Sequence, residues 1–498
     1  MPAARPNILF AIADDASHMS AYGHRFVQTP HFDRVAANGV LFTNAFTTNP
    51  KCAPSRASIL TGRHTWQLEE ACNHWNVWPS RFDVYPDILA DAGYHVGYTG
   101  KGWAPGDWRR SGRSANPAGP EYSGRTLSPP SSTISEKDYP ANFRDFLDAR
   151  PDGAPFCFWY GGHEPHRPYE PGEGAAAGRV PRSGEVPPYL PPEEVVRSDL
   201  ADYAFEVEWF DAQLGAMLAE LESRGELDDT LVVVTSDNGM PFPRVKGQMY
   251  DYDFRLPFAM MWLGRTGAPD GETDTLELRG SDRLARGRRV LTDMISFTDI
   301  APTFLEAAGV TPPPGMSGRS FLSLLDADRS GRHDPHRDRV CMGRERHDLG
   351  REGDVGYPVR CIRTDEFLYV WNLKPHLWPA GNPETGFTGC DSSPTKTLIL
   401  QQHEQGDDRY FGPAFGKRPH EELYAVARDP FCLDNLATDP DYSAVKTELH
   451  AELRGYLLAQ SDPRMLGYGD WFDTREYVGE ASHSWASRLA GTWKPQRY

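Results

Sequence analysis

Apolar and polar residues alternate along this chain in blocks rather than singly. Four short runs are apolar almost throughout and stop abruptly at polar residues. PNILFAIA (6–13) is followed by Asp14 and Asp15, and YHVGYTG (94–100) by Lys101. PFCFWYGG (155–162) is followed by His163, Glu164, Pro165 and His166, and TLVVVTS (230–236) by Asp237, Asn238 and Gly239. Near-continuous apolar runs predict parallel strands buried on both faces. Helical stretches separate them, YPDILADAG (85–93) and residues 201–225. The second carries an apolar stripe of Phe205, Trp209, Leu214, Met217, Leu218 and Leu221 and stops at Gly225. Strands alternating with helices predict a doubly wound α/β fold with a mainly parallel sheet. In such sheets ligands bind at the carboxyl ends of the strands. Polar residues that merely begin loops would explain one of these strand ends, but explain four converging sets poorly.

The punctuation between these blocks predicts the rest of the organisation. Residues 104–150 are rich in Pro, Gly and Ser and read as a long loop near the site, as do 168–197; structureless loops of that length are uncommon unless functional. Residues 311–340 read as the exit from a first domain, and 498 residues exceed what one core comfortably holds. The expected division is a catalytic domain at 1–345 and a smaller C-terminal α+β unit at 346–498. The latter is expected to be built on an antiparallel sheet from pieces such as RCIRTDEFLYVWNL (360–373) and TKTLILQQ (395–402), with a tail that starts helically and ends among Trp and Tyr.

Charge narrows the class of partner. The chain carries 70 acidic residues against 52 Lys and Arg, a net charge of −18. That disfavours nucleic acid, whose binding needs basic surface, and it requires any anionic substrate to be held by a local basic pocket. No apolar run reaches the roughly 18 residues of a membrane-spanning helix. The N-terminal MPAARPNILF has no leader pattern, so the expectation is a cytoplasmic protein or one whose leader is removed. The seven cysteines are widely spread without a CxxC pair, and their odd number leaves at least one thiol outside any internal disulfide.

Asp14, Asp15, Asp237 and Asn238 form an oxygen-only donor set suited to Ca²⁺ or Mg²⁺, with Ca²⁺ ahead; packing those carboxylates together without a cation is costly. The stretch CAPSRASILTGR (52–63) has Pro54 where proline suits a first helical turn and Gly62 where glycine suits a helix end. A helix over 54–61 would place Cys52 just before an anion-attracting N-terminus, with Arg56 at the same mouth. A cysteine there reads as a thiolate or a modified nucleophile rather than core filler. CNHWNVW (72–78), with His74, Trp75 and Trp78, reads either as the wall of a sugar pocket or as packing under a loop. HDPHR (333–337) and GFTGC (386–390) read as surface, and Arg244 lies close enough to Lys246 in sequence to reach an anion.

The motif C-x-P-S-R-x-x-x-L-T-G-R at 52–63 resembles the signature of the type I, formylglycine-dependent sulfatases of the alkaline phosphatase superfamily. NILFAIADD, TPHFDRVAANGVLFTNAF, the SDNG segment, KGQMYDYDFRLPFAM and RPHEELYAVARDPFCLDNLA also resemble their counterparts in that family. HEPHR (163–167) and SDNGMPFP (236–243) are most similar to the heparan N-sulfatase (sulfamidase) branch. The resemblance implies that a maturation enzyme converts Cys52 to formylglycine. It implies Ca²⁺ held by Asp14, Asp15, Asp237, Asn238 and residue 52. Arg56 would steady residue 52, and Lys101 and Lys246 would grip sulfate oxygens. His163 would serve the leaving oxygen, with His166, Arg244 and His74 on the substrate. The hydrated aldehyde is a geminal diol: one hydroxyl attacks sulfur, and the other then expels sulfate. The implied activity is exo-acting sulfate hydrolysis on a sulfated sugar, O- or N-linked. The competing readings are a phosphate mono- or diester hydrolase of the same superfamily, an inactive glycan-binding relative, and a thiol hydrolase, for which the carboxylates have no use. One departure stands out: the family's G-K-x-H is GKGW here, with Trp103 at the histidine and His64 or Lys101 as candidate replacements for the base. Asp251 stands where the family often has Glu.

Overall fold

The computed structural model describes residues 5–267, 273–278 and 283–495; the first four residues of the N-terminal stretch and the last three of the aromatic tail lie outside it. Seven strands of the central sheet carry the argument: β1 (Asn7–Ala13), β2 (Val40–Phe46), β3 (His95–Gly100), β4 (Phe156–Gly161), β5 (Thr230–Ser236), β6 (Arg255–Met261) and β7 (Arg289–Leu291). Their spatial order is β7-β2-β6-β5-β1-β4-β3, with Ile295–Ser296 also pairing β2. The four apolar runs are neighbours: β3 pairs β4, β4 pairs β1 and β1 pairs β5, all parallel. Only β6 runs against its neighbours β2 and β5. Every residue of β1, β4 and β5 is buried, as unalternating Val, Ile and Phe runs require when helices cover both faces. Parallel pairing also brings the ends into line, with Ala13 opposite Ser236, Ile12 opposite Gly161, and Gly100 opposite Gly161. The polar residues after each run therefore emerge at one edge of the sheet.

The helices include α1 (Cys52–Thr61), α2 (Tyr85–Asp91), α3 (Tyr139–Asp148) and α4 (Glu194–Ser223). The expected loop over 104–150 ends early, because α3 occupies most of its last quarter. Asp138 caps it by accepting the Ala141 amide, Pro140 sits in its first turn, and Phe143, Phe146 and Leu147 bury against the sheet. In α4 the stripe is rotated relative to expectation. Leu214, Met217, Leu218 and Leu221 are fully buried, but Phe205 and Trp209 are half-exposed, and Asp199, Asp202, Tyr203, Glu206 and Phe210 face inward instead. Asp199 and Asp202 serve loop 168–197: Asp199 forks onto Arg167 at 2.7 and 2.9 Å, and Asp202 accepts the amides of Gly172 and Gly174.

The second sheet is antiparallel in the order β8 (Arg339–Arg344), β9 (Val359–Thr364), β10 (Phe367–Asn372) and β11 (Glu421–Ala425). TKTLILQQ, expected as a strand, is helical in α5 (Pro394–Glu404). Ser393 caps it through the Lys396 amide and Pro394 fills the first position, so local capping overrides the β-branched content. Helix α6 (Ser443–Ala459) packs on β9 and β10 through Leu449, Leu453 and Leu457. No helix among the described residues is long and apolar enough to cross a membrane.

Candidate active site

The strand ends build an acidic floor. Asp14 is tied to the β4 end by its amide, which donates to the Glu164 carbonyl at 3.1 Å. Asp15 adopts a left-handed backbone, φ 76°, a conformation Asp tolerates better than most residues and one that collects at functional sites. Its amide donates to Asp237 Oδ1 at 3.2 Å, and Asn238 Nδ2 donates to Asp15 Oδ1 at 2.7 Å. Asp14, Asp15 and Asp237 each offer a carboxylate oxygen within 4.8 Å of the others, and none is more than 1% exposed. Burial raises the carboxyls of Asp15 and Asp237, each to about 6, against the partial relief of Lys246 for the first and Arg56 for the second. Burial pushes Asp14 up as well, but Lys101, His166 and Arg56 outweigh it and hold Asp14 well below the usual carboxylate range. Asp14 Oδ1 and Asn238 Oδ1 accept no hydrogen bond among the described residues.

Cations surround the start of α1. The helix begins at Cys52 itself, two residues before the expected start, with Lys51 as its N-cap. Arg56 Nε donates to Asp237 Oδ2 at 2.7 Å, and one of its terminal nitrogens reaches the carbonyls of Lys101 and Gly102 at 2.6 and 3.1 Å. Its other terminal nitrogen makes no hydrogen bond among the described residues. Lys101 Nζ lies 2.5 Å from Asp14 Oδ2, and Lys246 Nζ lies 2.6 Å from Asp15 Oδ2 and 2.9 Å from Asp391 Oδ2. Cys52 Sγ shares a 4.8 Å cluster with ligand atoms of Asp14 and His166. The expected thiolate is corrected here. Burial, seconded by Asp14, drives the thiol far above its ordinary value, and Lys101 and Lys246 do not offset it. An unmodified Cys52 is therefore a neutral thiol, poorly suited to attack.

His163 and His166 line a cavity of about 390 Å³ together with Asp14, Lys101, Thr133, Ser135 and Glu206. Burial and then Lys101 lower His163 to about 3; burial and then Lys246 lower His166 to about 4. His163 Nε2 is buried without a hydrogen-bond partner among the described residues. His166 Nδ1 lies 2.7 Å from the Arg167 carbonyl, and its Nε2 lies 3.9 Å from Asp15 Oδ2.

Three expected contributors sit elsewhere. Arg244, also left-handed at φ 70°, donates to the carbonyls of Pro413 and Cys432 and stacks 4.0 Å over Tyr250. It does not reach the anion cavity. His74 does not line that cavity either; its Nδ1 lies 3.1 Å from Asp348, which also holds Lys51 Nζ at 3.0 Å. His64, a candidate base, stacks on Trp66 at 4.3 Å and bonds the Tyr456 hydroxyl at 2.6 Å, so it serves the contact with α6. Trp103 is fully buried edge-on to Trp78, and its indole donates to the Ala53 carbonyl at 3.1 Å, bracing the first turn of α1. Of the two candidate bases, only Lys101 lies in the site.

Two residues were missed. Asp391 follows GFTGC, which is not surface as expected: Phe387, Thr388 and Cys390 are buried and deliver Asp391 to Lys246. Lys51, in plain view beside Cys52, pairs with Asp348 from the segment after β8. Nothing in the local pattern marks either residue, because each joins the cluster only through a long-range pairing.

Three buried carboxylates and the Asn238 amide, with Asp14 Oδ1 and Asn238 Oδ1 lacking hydrogen bonds among the described residues, fit a hard divalent cation. The Sulfatase family model matches residues 6–310. The chain is 28% identical over 510 residues to the N-sulphoglucosamine sulphohydrolase of Homo sapiens, covering 92% of this chain and 91% of that protein. It is 27% identical over 517 residues to an ulvan-active sulfatase of Formosa agariphila, covering 93% and 76%. Among solved structures, one in complex with its substrate D-glucosamine-2-N,6-O-disulfate superposes with a TM-score of 0.63 at 19% identity, covering 92% of this chain and 99% of the other. The chain belongs to the sulfatase family.

Proposed function

We propose that this protein hydrolyses a sulfate group, O-linked or N-linked, from the end of a sulfated carbohydrate chain. One observation carries the reading: three buried carboxylates and Asn238 converge with Lys101, Lys246 and Arg56 on the first residue of the CAPSR helix. Asp14, Asp15, Asp237 and Asn238 would hold Ca²⁺, which supplies charge stabilisation at a sulfate oxygen. Formylglycine made from Cys52 by a maturation enzyme would supply the nucleophilic hydroxyl that the neutral thiol cannot match. The chain's own groups do the rest. Lys101 and Lys246 place ammonium groups on either side of the carboxylate floor, where they can neutralise non-bridging sulfate oxygens in a dry site. Arg56, anchored on Asp237 and on two carbonyls, fixes the first turn of α1 against that floor. His163 is a neutral imidazole at pH 7, and its unpartnered Nε2, when it carries the ring hydrogen, can donate a hydrogen bond to the departing oxygen or nitrogen. Burial lowers the Lys101 pKa, but the anionic groups around it, Asp14 first, outweigh that and raise it, so Lys101 stays an ammonium that serves the sulfate oxygens and not the base step. The loop ahead of α3 supplies Thr133 and Ser135 to the cavity. In this reading residues 1–345 carry the chemistry, and 346–498 close it through Asp348 and Asp391.

The test is sulfate release, followed by ion chromatography, from protein co-produced with a formylglycine-generating enzyme. The panel holds N-sulfoglucosamine, sulfated monosaccharides, and phenyl sulfate against phenyl phosphate. Release from at least one sulfated sugar is expected, abolished by EDTA and restored by Ca²⁺. A strong preference for phenyl phosphate would overturn the reading, and internal sulfates released as fast as terminal ones would overturn its exo-acting part.

A further inference from the structure

The buried face of α4 carries an acid that the chemistry above does not use. Glu206 is 2% exposed and lines the same cavity as Asp14, Lys101 and His163. Its Oε1 accepts the Thr133 hydroxyl at 3.1 Å, and its Oε2 has no hydrogen-bond partner among the described residues. The neighbouring Glu164 shows what a purely structural acid looks like there. Its two oxygens accept the Ser135 amide at 2.9 Å and the Tyr139 hydroxyl at 3.0 Å. Arg167, the nearest strong cation on this wall, is committed to Asp199 and to the Pro241 carbonyl. A buried carboxyl oxygen left unpaired costs more than a hydrogen bond returns, and nothing in the packing of α4 demands an acid at this position. A cavity of about 390 Å³ lies within the range of small-ligand sites.

We propose that Glu206 is a specificity-determining residue that accepts a hydrogen bond from a ring hydroxyl of the sugar bearing the sulfate. This rests on the sulfated-sugar reading given above. The sulfate end is held at Lys101 and Lys246 whatever carries it; Glu206, with Thr133 behind it, reads the carrier. A substrate without that hydroxyl leaves the carboxyl unpaired and gains nothing from the wall.

The experiment compares two substrates on the mature protein: the best sulfated sugar of the panel and phenyl sulfate, which has no ring hydroxyl. Glu206→Ala is expected to lose about 10- to 100-fold in kcat/KM on the sugar, chiefly through KM, and to stay within about threefold of wild type on phenyl sulfate. Glu206→Gln, which keeps one acceptor, is expected to fall between. Thr133→Val, which frees Glu206 without removing it, is expected to show a smaller loss with the same selectivity. Equal losses on both substrates, or no loss on the sugar in any of the three variants, would overturn the assignment while leaving the sulfatase reading intact. Wild-type protein that hydrolyses phenyl sulfate but no sulfated sugar would overturn the sugar reading and the assignment together.

Discussion

The protein buries two clusters of opposite charges, and they are built on different principles. Behind the second sheet, Arg360 donates to Asp462 at 2.6 and 3.1 Å, to Glu345 at 2.7 Å and to the carbonyls of Arg344 and Val359; Arg464 adds further bonds to Glu345. No polar atom of Arg360, Glu345, Asp462 or Arg464 is among the buried atoms left unpaired. At the first sheet's edge, Asp14, Asp15, Asp237, Arg56 and Lys246 are as deeply buried, with Lys101 partly exposed beside them. Yet Asp14 Oδ1, Asn238 Oδ1, Asp391 Oδ1 and one Arg56 nitrogen are left without hydrogen bonds among the described residues. A saturated network can only hold a structure together, whereas unspent donors and acceptors can bind something else.

Mutation should separate the two clusters, and the largest effect belongs to the unsaturated one. Asp237→Asn removes a carboxylate from the floor and should lower kcat/KM by about 10³-fold, while Tm moves by no more than about 3 °C, since one of three crowded carboxyls is neutralised. A Tm collapse on that change would merge the two clusters into one structural class. Next, Arg360→Met strands Glu345 and Asp462 in the interior and should cost about 3–5 kcal/mol. Thermal denaturation should then show a fall of roughly 3–5 °C, with kcat of the folded protein within about twofold of wild type. A large drop in kcat without loss of Tm would assign that network to catalysis. The smallest effect is expected at Trp103→His. The lost indole should cost about 2–4 kcal/mol by analogy with large-to-small core changes, and kcat should not rise. A variant several-fold faster than wild type would mean that the indole blocks a catalytic position instead of bracing α1.

The same division governs what could be read in advance. The four strands, their parallel pairing and the common edge of Asp14, Lys101, His163 and Asp237 were legible because burial on both faces writes itself into contiguous apolar runs. TKTLILQQ misled because a Ser-Pro cap, three residues of chemistry, outweighed the intrinsic preference of the segment that follows. Phe205 and Trp209 misled because an apolar stripe predicts a buried face only where no acids are needed inside; Asp199 and Asp202 took that face to bind the loop after β4. Arg244 and Lys246 stand two residues apart yet go separate ways, because Arg244 is itself left-handed and turns the chain ahead of Lys246.

By itself the sequence determined the α/β architecture and the meeting of three carboxylates, Asn238, Cys52 and the flanking cations at one sheet edge, since each is coded by residues adjacent to a strand end or within one helical turn. Only the tertiary structure decided that burial raises the Cys52 thiol, that His64 and Trp103 are packing groups, that Asp391 pairs with Lys246 and that Glu206 lines the cavity. The physical reason is that burial and pairing set protonation and hydrogen-bond capacity, and both depend on neighbours brought in from distant parts of the chain.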